Sequence, residues 1–199
     1  MSFHFIEPVK RRFSISVSPK AGNTSLKHWL YECGTGREFS GPKNIQNFFI
    51  RAKGATLKPD QLGDTLRIAV HRDPRSRLLS YFYGHVRKAN PSANLLEFVK
   101  TIYDIRRTDY WAERHTRMRS VTLGTDPGFY HIIIPTSCIS ELPEIVSELV
   151  QEKLPKIKNL NTGPRTEWVL TNEEAKLIEA YGAHDNAIGW NGVLKKFTF

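Results

Sequence analysis

Three strand-then-helix units predict an α/β fold: a three-layer sandwich with a mostly parallel central sheet and helices on both faces. FSISVSPKAGNTSLKHW (13–29) reads as strand, loop and helix in succession, and LRIAVHRDPRSRLLSYF (66–82) repeats that order. FYHIII (129–134) then precedes the amphipathic ELPEIVSELVQEKL (141–154). Parallel neighbours need a crossover connection, which this alternation supplies.

The composition bounds the reading. A chain of 199 residues, 40% hydrophobic and 25% charged, is large and apolar enough for one packed domain over 1–199 and is not an extended disordered chain. Its 29 Lys and Arg against 20 Asp and Glu leave a net charge of +9, which favours an anionic ligand. The basic residues are scattered, without a zinc-finger, helix-turn-helix or RNA-binding signature, so nucleic acid is not the expected partner. Cys33 and Cys138 have neither metal spacing nor a disulfide framework and read as two small buried thiols in a reducing compartment. MSFHFIEPVKRR lacks the apolar run of a signal peptide or anchor, so a cytoplasmic protein without an integral membrane segment is expected.

In the first unit, Phe13, Ile15 and Val17 alternate with Ser14, Ser16 and Ser18, the period of a strand, and Pro19 ends the ladder because it has no N–H. Lys20, Ala21, Gly22, Asn23, Thr24 and Ser25 follow. Glycine permits a tight turn, and Asn, Thr and Ser are residues that cap a new helix. Donors therefore gather at the positive end of a helix dipole, with Lys20 beside them: an anion cradle. From Gly34 to Asp64, glycines and prolines break any long element, leaving one short helix over Ile45–Ala52 near the mouth of the site.

In the second unit a strand, Leu66–Val70, leads to Arg72 at its carboxyl end, where open α/β sheets place ligands. Asp73 as N-cap and Pro74 in the first turn start a helix. Arg77, Ser80 and Tyr81 share a face of it, which turns at least one of them toward Arg72; Arg77 is also spaced to pair with Asp73 across one turn. Asn94–Asp104 carries an apolar stripe of Leu95, Phe98, Val99 and Ile102. In Asp109–Ser120, His115 stands among Arg114, Arg117 and Arg119, whose charges would keep the imidazole neutral. The helix of 141–154 has a stripe of Leu142, Ile145, Val146, Leu149 and Val150. A polar turn, Asn161 to Arg165, precedes a last helix opened by a Thr171/Glu174 capping box and running to about Tyr181.

PKAGNTSL departs from the ATP-binding GxxxxGK[ST] loop, because its lysine precedes the glycine. It resembles instead the 5′-phosphosulfate loop of the sulfotransferases that use 3′-phosphoadenosine 5′-phosphosulfate (PAPS). RDPRSRLLSYF closely resembles their 3′-phosphate motif, R-D-P-x-x-R-x-x-S-x-[YF], and the two motifs come in the family's order. The resemblance implies a P-loop NTPase-like nucleotide-binding core. It also implies that Lys20, Ala21, Gly22, Asn23, Thr24 and Ser25 hold the 5′-phosphosulfate, and that Arg72 and Ser80 hold the 3′-phosphate. Asn161, Thr162 and Arg165 match a loop that closes over the same phosphate. His115 matches the histidine of an H-x-x-P-Q segment of the carbohydrate type, with its Pro and Gln replaced here. The implied activity is transfer of a sulfuryl group from PAPS to a hydroxyl of a carbohydrate or glycoconjugate, leaving adenosine 3′,5′-bisphosphate and requiring no metal. Lys20 would steady the leaving phosphate. Such a displacement asks for a base, for which His115 and Glu113 are the candidates ahead of His85, His28 and His71. A small-molecule kinase and a non-catalytic nucleotide-binding protein of the same fold are the alternatives.

Overall fold

A computed structural model of the protein describes residues 4–40, 44–158, 168–187 and 195–196. The order along the chain is β1 (His4–Ile6), β2 (Phe13–Val17), α1 (Asn23–Thr35), α2 (Ile45–Arg51), β3 (Thr56–Leu57), β4 (Leu66–His71) and α3 (Pro74–Tyr81). A π-helical turn, Phe82–Val86, joins α3 to α4 (Arg87–Ala89). Then come α5 (Leu95–Thr108), α6 (Tyr110–Thr116), α7 (Arg119–Leu123), β5 (Ile132–Pro135), α8 (Leu142–Val150), α9 (Asn172–Ala187) and β6 (Lys195–Lys196).

The strands form one sheet in the order β3-β1-β2-β4-β5-β6. The three strands of the repeated units are its parallel centre: β2 pairs with β4 from Phe13↔Leu66 to Val17↔Val70, and β4 with β5 from Ile68↔Ile132 to His71↔Pro135. Around that centre the sheet departs from the mostly parallel expectation. The β1–β2, β1–β3 and β5–β6 pairings are antiparallel. These outer strands are two or three residues long, and β1 turns back onto β2 through a short link rather than a crossover helix.

Because β2 and β4 are central, both of their faces are covered, and the serines between the apolar residues of β2 are as buried as their neighbours. Phe13, Ile15, Val17, Ile68, Val70, Ile132 and Ile134 join Leu26, Trp29 and Leu30 of α1, Ile45 and Phe49 of α2, and Leu142, Ile145 and Val146 of α8 in one buried cluster. Ala69 and Ile133, at the intervening positions, join Leu123 and Tyr130 in another. Each fully buried large side chain of this kind contributes about 1.5–3 kcal/mol through removal of apolar surface from water. The Trp29 indole N–H donates to the Pro155 carbonyl at 2.7 Å, tying α1 to the chain beyond α8. Gly34 lets α1 pass close to the preceding link, since a Cβ there would lie 2.0 Å from the Pro8 carbonyl oxygen.

Most boundaries follow the sequence reading. Asn44 caps α2, Asp73 caps α3 through the Ser76 N–H at 2.8 Å, and Asn94 caps α5. The Thr171/Glu174 box is formed in both directions, at 2.8 and 3.3 Å. Three expectations are corrected. The helix α8 ends at Val150, where Gln151 takes a left-handed conformation, and Leu149 is 39% exposed rather than part of the buried stripe. The last helix continues past Tyr181 to Ala187. Cys33 is buried as expected, but Cys138 is only half-buried.

Candidate functional site

The parallel strands end together, and the first motif begins at that end. Ser18 extends the ladder by donating its N–H to the Val70 carbonyl at 3.0 Å. The loop then turns through two left-handed residues, Lys20 (φ 63°) and Gly22 (φ 76°). Glycine takes this conformation without strain, whereas lysine does so at a cost of about 1 kcal/mol or more. Gly22 itself is the N-cap of α1, which has no side-chain cap. The expectation that Asn23, Thr24 or Ser25 caps the helix is thereby corrected: all three belong to its first turn. The helix ladder opens with the Leu26 N–H on the Gly22 carbonyl at 3.0 Å, so the amides of Asn23, Thr24 and Ser25 stand ahead of it, at the positive end of a 13-residue helix. Ala21, within the loop, is fully buried in the core cluster.

The second motif meets the first through hydrogen bonds. The Arg72 N–H donates to Ser18 Oγ at 3.2 Å, and Arg72 Nη1 donates to the Lys20 carbonyl at 3.1 Å. Burial lowers the pKa of Arg72, with Asp73 opposing, and burial lowers that of Lys20, reinforced by the charges of Arg72 and Lys88. Desolvated cations of this kind are the ones an anion best compensates. Lys20, Gly22, Asn23, Thr24, Ser25, Arg72 and Ser80 line one cavity of about 1290 Å³, together with His115.

His115 reaches that cavity from α6, whose start is fixed by Asp109. Its Oδ1 accepts from the N–H groups of Trp111 at 2.7 Å and Ala112 at 3.0 Å. The imidazole lies nearly parallel to the Trp111 ring, 5.8 Å away and tilted by 11°. Its pKa is pushed down to about 4, first by burial and then by Lys20, His85, Arg114 and Arg77. The neutral imidazole expected from the sequence is present, but burial leads, and of the three neighbouring arginines only Arg114 contributes. Arg117 is engaged with Glu113, and Arg119 is buried beside His71, with Nη1 3.1 Å from Nδ1. Glu113, held by Arg117, is not among the residues lining the cavity. The expected Arg77–Asp73 pair is replaced as well: Arg77 is fully buried and donates to the carbonyls of Thr116 and Arg117, bracing the end of α6. Of the other imidazoles, His71 is buried, its pKa pushed down to about 4 by burial and Arg119.

Several lining residues were not foreseen. Thr136, Ser137 and Ser140, just after β5, add hydroxyls to the wall, and Thr136 Oγ1 is held by the His71 carbonyl at 2.8 Å. Short hydroxyl runs after a strand read as ordinary turns, so only strand adjacency could have found them. At the mouth stand Tyr110 and Trp111, 62% and 59% exposed, with Arg114 Nη1 donating to the Tyr110 hydroxyl at 3.0 Å. His85, ranked behind His115 and Glu113 as a base, places Nε2 2.7 Å from Lys20 Nζ. Beyond His115 and Trp111 a second cavity, of about 670 Å³, is lined by Tyr81, His85, Val86, Phe98, Ile105 and Asp109 among others.

Asn161, Thr162 and Arg165 lie outside the described residues. Among the described residues no helix is long and apolar enough to cross a membrane. No family model, curated protein or solved structure matches the chain. Fold and site together define an α/β protein with a cation-lined cavity at the carboxyl ends of parallel strands.

Proposed function

We propose that the protein is a PAPS-dependent sulfotransferase acting on a hydroxyl of a carbohydrate or glycoconjugate, with a P-loop-type three-layer core and a reducing, cytoplasmic setting suited to its two unpaired cysteines. The observation that carries the reading is that the two separated motifs, Lys20 to Ser25 and Arg72 with Ser80, line one cavity with His115 and are joined by the Arg72–Lys20 hydrogen bond.

In this reading the amides and hydroxyls at the start of α1 receive the 5′-phosphosulfate, and the Arg72 guanidinium with the Ser80 hydroxyl receives the 3′-phosphate. An acceptor oxygen attacks sulfur as the bond from sulfur to the bridging oxygen breaks, and Lys20 neutralises the charge gathering on the departing bisphosphate. His115, neutral above its lowered pKa, takes the proton of the attacking hydroxyl. The exposed rings of Tyr110 and Trp111 flank the opening and offer flat faces to sugar C–H groups, which supports a saccharide acceptor.

Calorimetry with adenosine 3′,5′-bisphosphate and transfer assays with radiolabelled PAPS over an acceptor panel test the proposal. Binding of the bisphosphate that depends on Arg72, with label transfer to a hydroxyl acceptor, is expected. Absent binding would overturn it, and ATP-dependent transfer would favour a kinase.

A further inference from the structure

His85 is exposed, yet three features converge on it. It sits in the π-helical turn Phe82–Val86, a rare backbone form that re-aims side chains and recurs at functional sites. Its ring is flanked at near-parallel angles by Tyr81, 5.3 Å away at 24°, and by His115, 5.4 Å away at 17°. Its Nε2 lies 2.7 Å from Nζ of Lys20, the non-glycine residue held left-handed in the phosphate-sized loop. Two unfavourable backbone geometries, distant in sequence, thus meet through their side chains.

We infer that His85 is the positioning residue of Lys20: its Nε2 accepts a hydrogen bond from the ammonium and aims the charge at the anion cradle. An ammonium only donates, so the contact requires a neutral His85 carrying its proton on Nδ1. The surroundings suit that form. Partial burial first, then Lys20 in the loop and Lys88 on the same helical stretch, oppose a charge on His85, and Tyr81 and His115 present rings. The ring contacts hold the imidazole plane while the Arg72 bond holds the Lys20 backbone, so the lysine is fixed from both ends. The lysine's left-handed backbone then has a purpose that the loop's glycine alone would not serve, since it sends the side chain toward the π turn.

The contact is tested by nitrogen NMR of the histidine rings and by a double-substitution cycle on binding of adenosine 3′,5′-bisphosphate. His85 is expected in the Nδ1–H form in the wild type, shifting toward Nε2–H in Lys20→Met. His85→Phe is expected to weaken bisphosphate binding about fivefold, and His85→Gln, whose amide oxygen can accept from Lys20, to restore most of it. In a Lys20→Met background His85→Phe is expected to change binding less than twofold. An Nε2–H tautomer in the wild type, or an equal effect of His85→Phe in both backgrounds, would overturn the inference. Its binding arm rests on the sulfotransferase reading and its NMR arm does not: a wild type that fails to bind the bisphosphate counts against that reading, while the tautomer still decides the Lys20–His85 contact.

Discussion

Arg72 Nη1 donates to the carbonyl of Lys20 across 3.1 Å, so the guanidinium assigned to one phosphate also anchors the loop assigned to the other. With the Ser18 Oγ bond to the Arg72 amide, this makes the two motifs one unit. Loss of Arg72 therefore removes a charge from the cavity and slackens the other motif.

Arg72→Ala is expected to weaken binding of adenosine 3′,5′-bisphosphate by roughly a hundredfold or more, about 3 kcal/mol, the range of a charge-assisted contact. Arg72→Lys, which keeps the charge and loses the fork, should recover only part of this. Calorimetry on the three proteins decides, and unchanged affinity in the alanine variant counts against the two-phosphate clamp.

His115→Ala should lose no more than about fivefold in bisphosphate binding, through the His85 ring it no longer holds, while turnover drops by more than about a hundredfold. Single-turnover transfer from radiolabelled PAPS separates the two quantities. Retained turnover would move the role of base to another group.

Trp111→Ala removes both a wall of the mouth and the ring stacked on His115, so KM for the acceptor should rise and kcat fall, by about tenfold in kcat/KM. Trp111→Phe, which keeps a flat face, should lie between. Bisphosphate affinity should be unaltered in both.

Acid should destabilise the protein through His4 and His71, each with a folded-state pKa of about 4 caused first by burial, then by Arg67 and Arg119 respectively. The unfolded chain takes up these protons near pH 6.5 and the folded state refuses them. Stability is therefore complete above pH 6.5, declines as pH falls toward 4, and stops declining from this cause below that. His4→Phe preserves a ring beside Tyr130 and Phe129 and removes one proton uptake. Thermal unfolding midpoints from pH 7 to 4 should drop less steeply in that variant.

Gly34→Ala is expected to destabilise by about 3 kcal/mol, since the methyl group would lie 2.0 Å from a backbone oxygen that moves only with the whole β1–β2 link. For a chain of this size that corresponds to a fall in Tm of roughly 10 °C, measurable by calorimetric melting. A wild-type Tm would show that the link yields freely.

Local signals carried most of this architecture. A period-two pattern placed β2, an apolar run placed β4, and Asp73 and Thr171 announced helix starts, because caps and apolar patterns are written in neighbouring residues. The outer strands escaped because two- or three-residue pairings have no period to read; partner strands create them. At the site, Lys20, Arg72 and Ser80 were legible as motif spacing. The Lys20–His85 contact was not, because a π turn leaves no residue-type signature, and neither was the burial of Arg77, which depends on where the end of α6 comes to rest. The pairing of Arg117 with Glu113 rather than with the His115 environment was an i,i+4 choice that spacing allowed but did not decide.

The stretch from Pro74 to Ala89 is one helical run with a phase slip. The π turn accommodates one residue more than an α turn, so everything after it is rotated by about 100° relative to an uninterrupted helix. Chain length at this point is thus a coordinate of the site in its own right. Deleting Gly84 would close the turn to ordinary α geometry and swing the imidazole that follows it away from Lys20, without altering a single side chain of the cavity. An insertion or deletion here is a change of aim, invisible to any comparison that counts only which residue types are present.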